Sequence, residues 1–386
     1  MKKNKKLSIL IILSLLILYN VALNEGVRDS LATTSINTSS NQILLEDLVV
    51  QSPMIIDYDS DFEAYGLPGD GSLKDPFRIE NYNITTTDET CLSFGGYTTK
   101  HFIIQNCFLK TDTNSSIILG AEQNMDEGSI IIKNNVIISI AGASGLTIKG
   151  KIEGGVYKND IFSLDCGIEL QEPFTYVQNN KIVAALGIRL VNSLGSSLIG
   201  NICNETSEIG IHIVNSNGTS IINNNCSNNV DTGILAENSH DLVINNNYLV
   251  DNFFGMRIIG SSGSVINNNH FNGSTSYGLS MSLSVGLNKI YHNAFYDNNL
   301  DGTTIQALDD AGDQWYDDVL LEGNYWNDFT GATSSSYPID GAAGSVDLYP
   351  LDFIPVISEY STVFISYILI ALFSAIPLVA YSKKRK

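Results

Sequence analysis

Two rows of residues have the types and the spacing to do chemistry. Seven glycines recur at a nearly constant interval: Gly145, Gly167, Gly187, Gly210, Gly233, Gly255 and Gly278. Each opens an alternating stretch such as Gly167-Ile-Glu-Leu170, Gly210-Ile-His-Ile213 or Gly255-Met-Arg-Ile258. The second residue after each glycine gives the series Thr147, Glu169, Arg189, His212, Leu235, Arg257 and Ser280. A carboxylate, a guanidinium and an imidazole side by side (Glu169, Arg189, His212) can bind a uronate or exchange protons with a substrate. The same three types also pair with one another as cross-strand charges on a solvated sheet face. A second row, two residues before Gly167, Gly187, Gly210 and Gly233, reads Asp165, Ala185, Glu208 and Asp231. Glu208 and Asp231, if one repeat apart, have the spacing of a glycosidase carboxylate pair or of Ca²⁺ ligands. Turns favour Asp without either role.

The elements that must position these rows are repeats. The pattern apolar-x-x-Asn selects Asn106, Asn135, Asn159, Asn180, Asn201, Asn225, Asn247, Asn269, Asn293 and Asn324, at steps of 21 to 31 residues. The glycines keep an independent column with the same period, close to 22. Short β-rich segments with that period fit the coils of a parallel β-helix, whose single turns cannot bury an apolar face alone and therefore stack. The expected fold is all-β, a right-handed parallel β-helix of about ten coils with end caps, roughly 45 Å long at the strand spacing of about 4.8 Å. In such a coil the Asn takes the turn, stacking into an amide ladder and tolerating left-handed backbone. Gly supplies turn freedom before the next strand. The residues one and three after each Gly point inward and the second points outward.

Composition agrees. Of 386 residues 40 are Asn and 32 are Gly, and only 16% are charged. Between residues 25 and 360 there are 13 basic and 41 acidic residues, which excludes nucleic acid as a partner because phosphate binding needs basic footprints. The acidic run Asp309, Asp310, Asp313, Asp317, Asp318 is a candidate for Ca²⁺ but lacks EF-hand spacing; no other cofactor is indicated. His101, His240, His270 and His292 fall at different offsets in their repeats and read as surface or turn residues rather than a metal site. Cys91, Cys107, Cys166, Cys203 and Cys226 match no disulfide framework and read as small buried hydrophobes. A few of the aromatic side chains are expected on the surface as sugar platforms.

The ends read differently. Residues 1–23, with Lys2, Lys3, Lys5 and Lys6 before an apolar run, form a signal peptide or an N-terminal anchor. Residues 24–54 read as a stalk or arm, and 55–352 as the β-helix with its caps. Thr362–Tyr381 is a 20-residue stretch without charge, long enough to span a bilayer as a helix, and 382–386 is a basic tail that belongs inside. The seven Asn-x-Ser/Thr sequons, at Asn37, Asn83, Asn114, Asn204, Asn217, Asn225 and Asn272, suit an extracellular domain on a single-pass cell-membrane protein.

The segments Asp75-Pro-Phe-Arg-Ile-Glu-Asn81, His101-Phe-Ile-Ile-Gln-Asn-Cys107, the Ile-Asn-Asn-Asn turns, Gly323-Asn-Tyr-Trp-Asn-Asp-Phe329, Tyr337-Pro-Ile-Asp340 and Asp347-Leu-Tyr-Pro350 resemble the NosD-like, carbohydrate-binding and sugar hydrolase family of cell-surface β-helices, of archaeal type. The resemblance covers about residues 55 to 352. It implies a right-handed parallel β-helix and a polysaccharide, surface glycan or surface protein as partner. The fold hosts lyases, hydrolases, adhesins and accessory proteins alike. The leading expectation is glycan or surface-partner binding without catalysis; the alternatives are a polysaccharide lyase or glycoside hydrolase and, behind these, an accessory protein for metal-site assembly. The scattered His and Met do not suggest copper, and no oligomeric state is legible.

Overall fold

Strands of one coil do not pair with each other; each pairs in parallel with the equivalent strand of the coil before and after. In the computed structural model this produces three parallel faces. The first has eleven strands, from Met54–Ile55 through Cys166–Leu170, Leu186–Val191 and Ile211–Val214 to Ala307–Asp309. The second has ten, from Phe77–Glu80 to Lys289–Tyr291. The third has seven, from Val49–Val50 to Ile202–Cys203, and resumes as four from Tyr248–Val250 to Tyr325–Trp326. Single bridges through Asn225 carry it across the gap. The structure describes residues 45–355 apart from 96–97, 121–129, 141, 151–153, 172–174, 285, 300–304 and 332–334, together with Ile36–Asn37 and Gln42–Ile43. Residues 1–23, the Thr362–Tyr381 stretch and the tail 382–386 lie outside the described residues, as does part of the arm. Among the described residues no helix is long and apolar enough to cross a membrane. The all-β parallel β-helix is as expected. Within the segment assigned to the arm, Ile36–Asn37 pairs antiparallel with Gln42–Ile43, and the parallel pairing of the coils begins at Val49.

Alternation along each strand makes the core. Ile168 and Leu170, Ile188 and Leu190, Ile211 and Ile213 are fully buried, one and three residues after their glycines. Each such side chain removed from water stabilises by roughly 1.5–3 kcal/mol. Most of the buried apolar residues form one cluster reaching from Met54 to Ile339, and Phe108 and Val136 form a small second one.

The corner between the second and third faces carries the amide ladder, with two corrections to its membership. Asn135, Asn159, Asn180, Asn201, Asn224, Asn247, Asn269, Asn293 and Asn324 donate in sequence, each backbone N–H going to the next Oδ1 at 2.9–3.1 Å. Asn225 is not a rung. Ile221, not Ile222, is the inward residue of its strand, so the rung three residues on is Asn224, and Asn225 lies just past it, half-buried. Asn106 is not a rung either: Ile104 is the inward residue and Cys107 takes the rung position, its N–H donating to Asn135 Oδ1 at 3.0 Å. The ladder residues are also not the left-handed ones. That conformation falls on the residue before each rung from Asn135 to Asn293, as at Asn134 (φ 55°), Asn179 (φ 57°), Asn223 (φ 57°) and Asn246 (φ 55°), and at Asn106 itself (φ 55°).

The glycine column is steric rather than conformational. None of the seven has a positive φ, and Gly167, Gly187, Gly233 and Gly255 lie inside strands. A Cβ added at Gly145, Gly167, Gly210 or Gly233 would sit 2.6–2.8 Å from the carbonyl oxygen of the next glycine in the column. The column exists because the chain passes too close to the neighbouring coil for any side chain.

Both ends are covered. The helix Asp59–Ala64 lies over the first coils, with Phe62 fully buried and stacked on Phe77 at 4.7 Å. At the other end Trp326 stacks between Phe295 (4.2 Å) and Tyr337 (4.0 Å) under the antiparallel pair Tyr337–Pro338 and Val346–Asp347.

Candidate functional site

The first face places the predicted row in register. Thr147, Glu169, Arg189, His212, Leu235, Arg257 and Ser280 are consecutive partners across six strand pairings. Arg189 Nη1 lies 3.6 Å from Glu169 Oε1, and the Arg189 side chain is 43% exposed. Glu169 is further held by Gln171 Nε2 at 3.1 Å and the Ser144 hydroxyl at 3.4 Å. Arg189 Nε is buried and has no hydrogen-bond partner. On the other side of Arg189, His212 Nε2 meets Glu237 Oε2 at 2.8 Å. Glu237 was missed in the sequence, yet a signal for it exists: it is two residues beyond Leu235, on the same outward face, in the coil after His212. Leu235 itself is nearly buried, and Arg257 sits over the Phe254 ring at 4.8 Å. The row is thus a loose ion pair followed by a tight imidazole–carboxylate pair. Glu169 and Glu237 are three coils apart, about 14 Å at the strand spacing, beyond the separation of either kind of glycosidase pair.

Glu208 and Asp231 occupy adjacent coils on the corner before the first face, the Asp231 N–H donating to the Glu208 carbonyl at 3.0 Å. Glu208 is exposed; Asp231 is half-buried and accepts from the Thr232 hydroxyl at 3.2 Å. The five aspartates of the last cap are each occupied separately. Asp309 accepts from the Trp315 indole, the Ser345 hydroxyl and three backbone N–H groups. Asp313 accepts from Asn288, Asp310 from the Ala342 N–H, Asp317 from its own turn, and Asp318 from Lys289. Among the described residues no three His, Cys, Asp or Glu side chains converge to hold a metal ion.

The histidines separate as their offsets suggest. His240 Nδ1 meets the Ser262 hydroxyl and His292 Nε2 meets Glu322. His270 lies between Tyr248 (4.7 Å, nearly parallel) and Tyr296 (5.1 Å), and Tyr296 continues to Tyr325 at 5.3 Å. Burial pushes the His270 imidazole down to about 4, so it stays neutral in this stack. Tyr248 and His270, partners in adjacent coils, cover one another's faces. Sugar stacking needs a free ring face, so this part of the column is a stabilising ladder and a poor platform.

Residues 144–331 match the family model described as Periplasmic copper-binding protein (NosD). The match takes in the Asn-Asn-Asn turns and the Gly323–Phe329 segment, and the resemblance read from the sequence holds over this stretch, just under half of the chain. No curated protein matches in sequence. Among solved structures, the Dettilon tailspike protein is 12% identical, with a TM-score of 0.46, covering 72% of this chain and 63% of its own. The periplasmic alginate epimerase AlgG is 12% identical, with a TM-score of 0.36 and 64% of each chain covered. An Azotobacter vinelandii mannuronan C-5 epimerase A-module is 12% identical, with a TM-score of 0.40, covering 81% of this chain and 98% of its own. The chain spans less than two thirds of the tailspike and of AlgG.

The residues do not fit copper. All five thiols are buried in the core, and burial raises Cys91 and Cys107 to about 12, away from the thiolate form a metal would take. Four of the imidazoles, His212, His240, His270 and His292, are spent one by one on separate carboxylate, hydroxyl and ring neighbours.

Proposed function

We propose that this is a membrane-anchored surface β-helix that binds a glycan through the Glu169–Arg189–His212 row without transforming it. The observation that carries the reading is the Arg189 guanidinium. It is half-exposed, and its carboxylate neighbour stands at 3.6 Å, beyond hydrogen-bond length, so its outer donors remain available to a sugar carboxylate. His212, in the next coil and fixed by Glu237, supports a second contact. The surrounding domain is strongly acidic, so an anionic glycan approaches against the long-range field, and moderate salt should strengthen its binding by screening that repulsion.

The His212–Glu237 pair favours a second reading, since a carboxylate orienting an imidazole is also the arrangement of a general base in a lyase or hydrolase. A glycan array combined with a uronate-release assay separates the two. The expected outcome is retention of an acidic glycan with no release, about tenfold weaker binding for Arg189→Ala (about 1.4 kcal/mol), and unchanged melting. Arg257→Ala should bind as the parent does; an equal loss there would mean diffuse charge attraction. Release of unsaturated or free sugar would replace the binding reading by the catalytic one.

A further inference from the structure

Resting on the membrane-anchored reading above, we propose that the last layer of the rod dips an apolar tip into the headgroup–acyl boundary of the membrane that carries the chain. Val319, Leu320 and Leu321 are consecutive and are 83%, 56% and 54% exposed. The loop that presents them is built rather than slack. Asp317 Oδ1 accepts the N–H groups of Val319 and Leu320, both at 2.8 Å. The Leu321 N–H returns to the Asp317 carbonyl at 2.9 Å, and the Asp317 N–H donates to Glu322 at 2.8 Å. Leu321 is held left-handed, at φ 56°, a conformation that Gly or Asn adopts more easily. Three apolar side chains in such a turn add nothing to the fold's core.

The tip adjoins the segment by which the chain leaves the rod. The Gly323 N–H donates to the Tyr349 carbonyl at 2.8 Å, and the Leu351 N–H to the Asn324 carbonyl at 2.9 Å. Phe353 and Ile354, just beyond, are each 56% exposed, and Leu348 is 43% exposed. Only six residues, 356–361, separate Pro355 from the Thr362–Tyr381 stretch, a reach of at most about 25 Å even when fully extended. If that stretch spans the bilayer, this end of the rod has to lie near the lipid surface. Charge near the tip is largely engaged: the Asp317 carboxylate is turned onto its own backbone, Asp318 is paired with Lys289 at 2.7 Å and Glu322 meets His292 at 2.6 Å, while Asp352 is exposed before Phe353. Apolar side chains with neighbouring tyrosines, here Tyr316 and Tyr349 in edge contact at 5.2 Å, are the composition that settles at a membrane interface.

The test uses the full chain reconstituted in phosphatidylcholine vesicles, whose neutral headgroups do not repel the acidic domain. Leu320→Cys, Phe353→Cys and, as a mid-rod control, Leu194→Cys each receive an environment-sensitive fluorophore; the five native cysteines are buried and stay unlabelled. Leu194 is 46% exposed, so its label is equally free to meet solvent. The expected result is a blue-shifted emission at 320 and 353, with quenching by a lipid-borne spin label several-fold stronger than at 194. Emission at 320 and 353 matching the control overturns the tip. Equal lipid contact at all three positions also overturns it, because the rod would then lie flat. Failure of the protein to float with the vesicles overturns the anchoring reading itself and is distinguishable from both.

Discussion

One amide at Asn180 holds four buried hydrogen bonds. Its Oδ1 accepts from the Asn159 N–H and Nδ2, and its Nδ2 donates to the Val156 carbonyl and to Asn201 Oδ1. Asn224 has the same environment two coils further along, tied to Asn201, Leu198 and Asn247. Replacing it by Leu strands several polar groups inside the rod, each costing about 1–3 kcal/mol when left unpaired. Asn224→Leu should therefore destabilise by on the order of 3 kcal/mol or more in urea titrations. Asn225→Leu, which mainly loses a contact to the Ser227 hydroxyl, should cost no more than about 1 kcal/mol. Equal losses at the two positions would contradict the assignment of the rung. The run Asn223-Asn224-Asn225 makes this choice invisible to a pattern search: three identical residues satisfy it equally, and only the inward turn of Ile221 selects the middle one.

At the scale of the element, the glycine column and the strands that follow it set how closely successive coils approach. Gly210→Ala would place a Cβ 2.6 Å from the Gly233 carbonyl and 3.0 Å from Cys226 Cβ, with backbone on one side and core on the other. Neither can retreat without breaking strand pairing, so a loss of about 2–3 kcal/mol is expected, the upper end of overpacking. Gly142→Ala is the comparison. There φ is +62° and nothing lies within 4 Å of the added Cβ, so the cost is the left-handed backbone alone, about 1 kcal/mol. Thermal unfolding of the two variants checks the order; a larger effect at Gly142 would refute the steric account. The same strands carry Glu169, Arg189 and His212 outward, so the register that protects the core also brings the candidate site residues together.

On the scale of the whole molecule, the ladder has a direction. Every rung donates toward the C-terminal cap, so its last member needs an acceptor that has no proton to pass on. Asp347 supplies it, accepting from the Asn324 N–H at 2.7 Å and from the Trp326 indole at 3.0 Å. A second, shorter ladder ends the same way, Asn288 donating to Asp313. Burial raises both carboxyls above their ordinary value, so each gains protonation in the fold first and adds stability as pH falls. Asp309 has the opposite sign. Burial would raise it, but the Ser345 hydroxyl, the Trp315 indole and the Ala311 and Asp313 N–H groups outweigh burial and hold it below 3.8. Its contribution is present above 3.8 and disappears as pH falls through the lower folded value. Calorimetry from pH 7 to pH 2.5 should show Asp309→Asn melting roughly 5 °C lower at neutral pH, with a shallower decline below 3.8 than the parent. A parallel decline would remove Asp309 from the acid limb. Placement in the membrane is tested at this scale too. Protease added to intact cells should digest the β-helix and spare a C-terminal tag; protection of the whole domain would refute an external location.

The period and the strand alternation were legible in the sequence because a solenoid repeats its local environment. The same inward position recurs every coil, and each recurrence demands the same kind of residue. Gly145 to Gly278 and the apolar residues after them therefore announce both the repeat and the outward row of Glu169, Arg189 and His212. What a glycine or an asparagine does in its column was not legible there. The glycines answer to a carbonyl one coil away rather than to their own φ, and the rung Asn224 is chosen by which isoleucine faces inward. Glu237 reaches His212, and Asp347 closes the ladder, through contacts between residues more than twenty positions apart. Such contacts exist only once the coils are stacked, so the tertiary structure alone decided them.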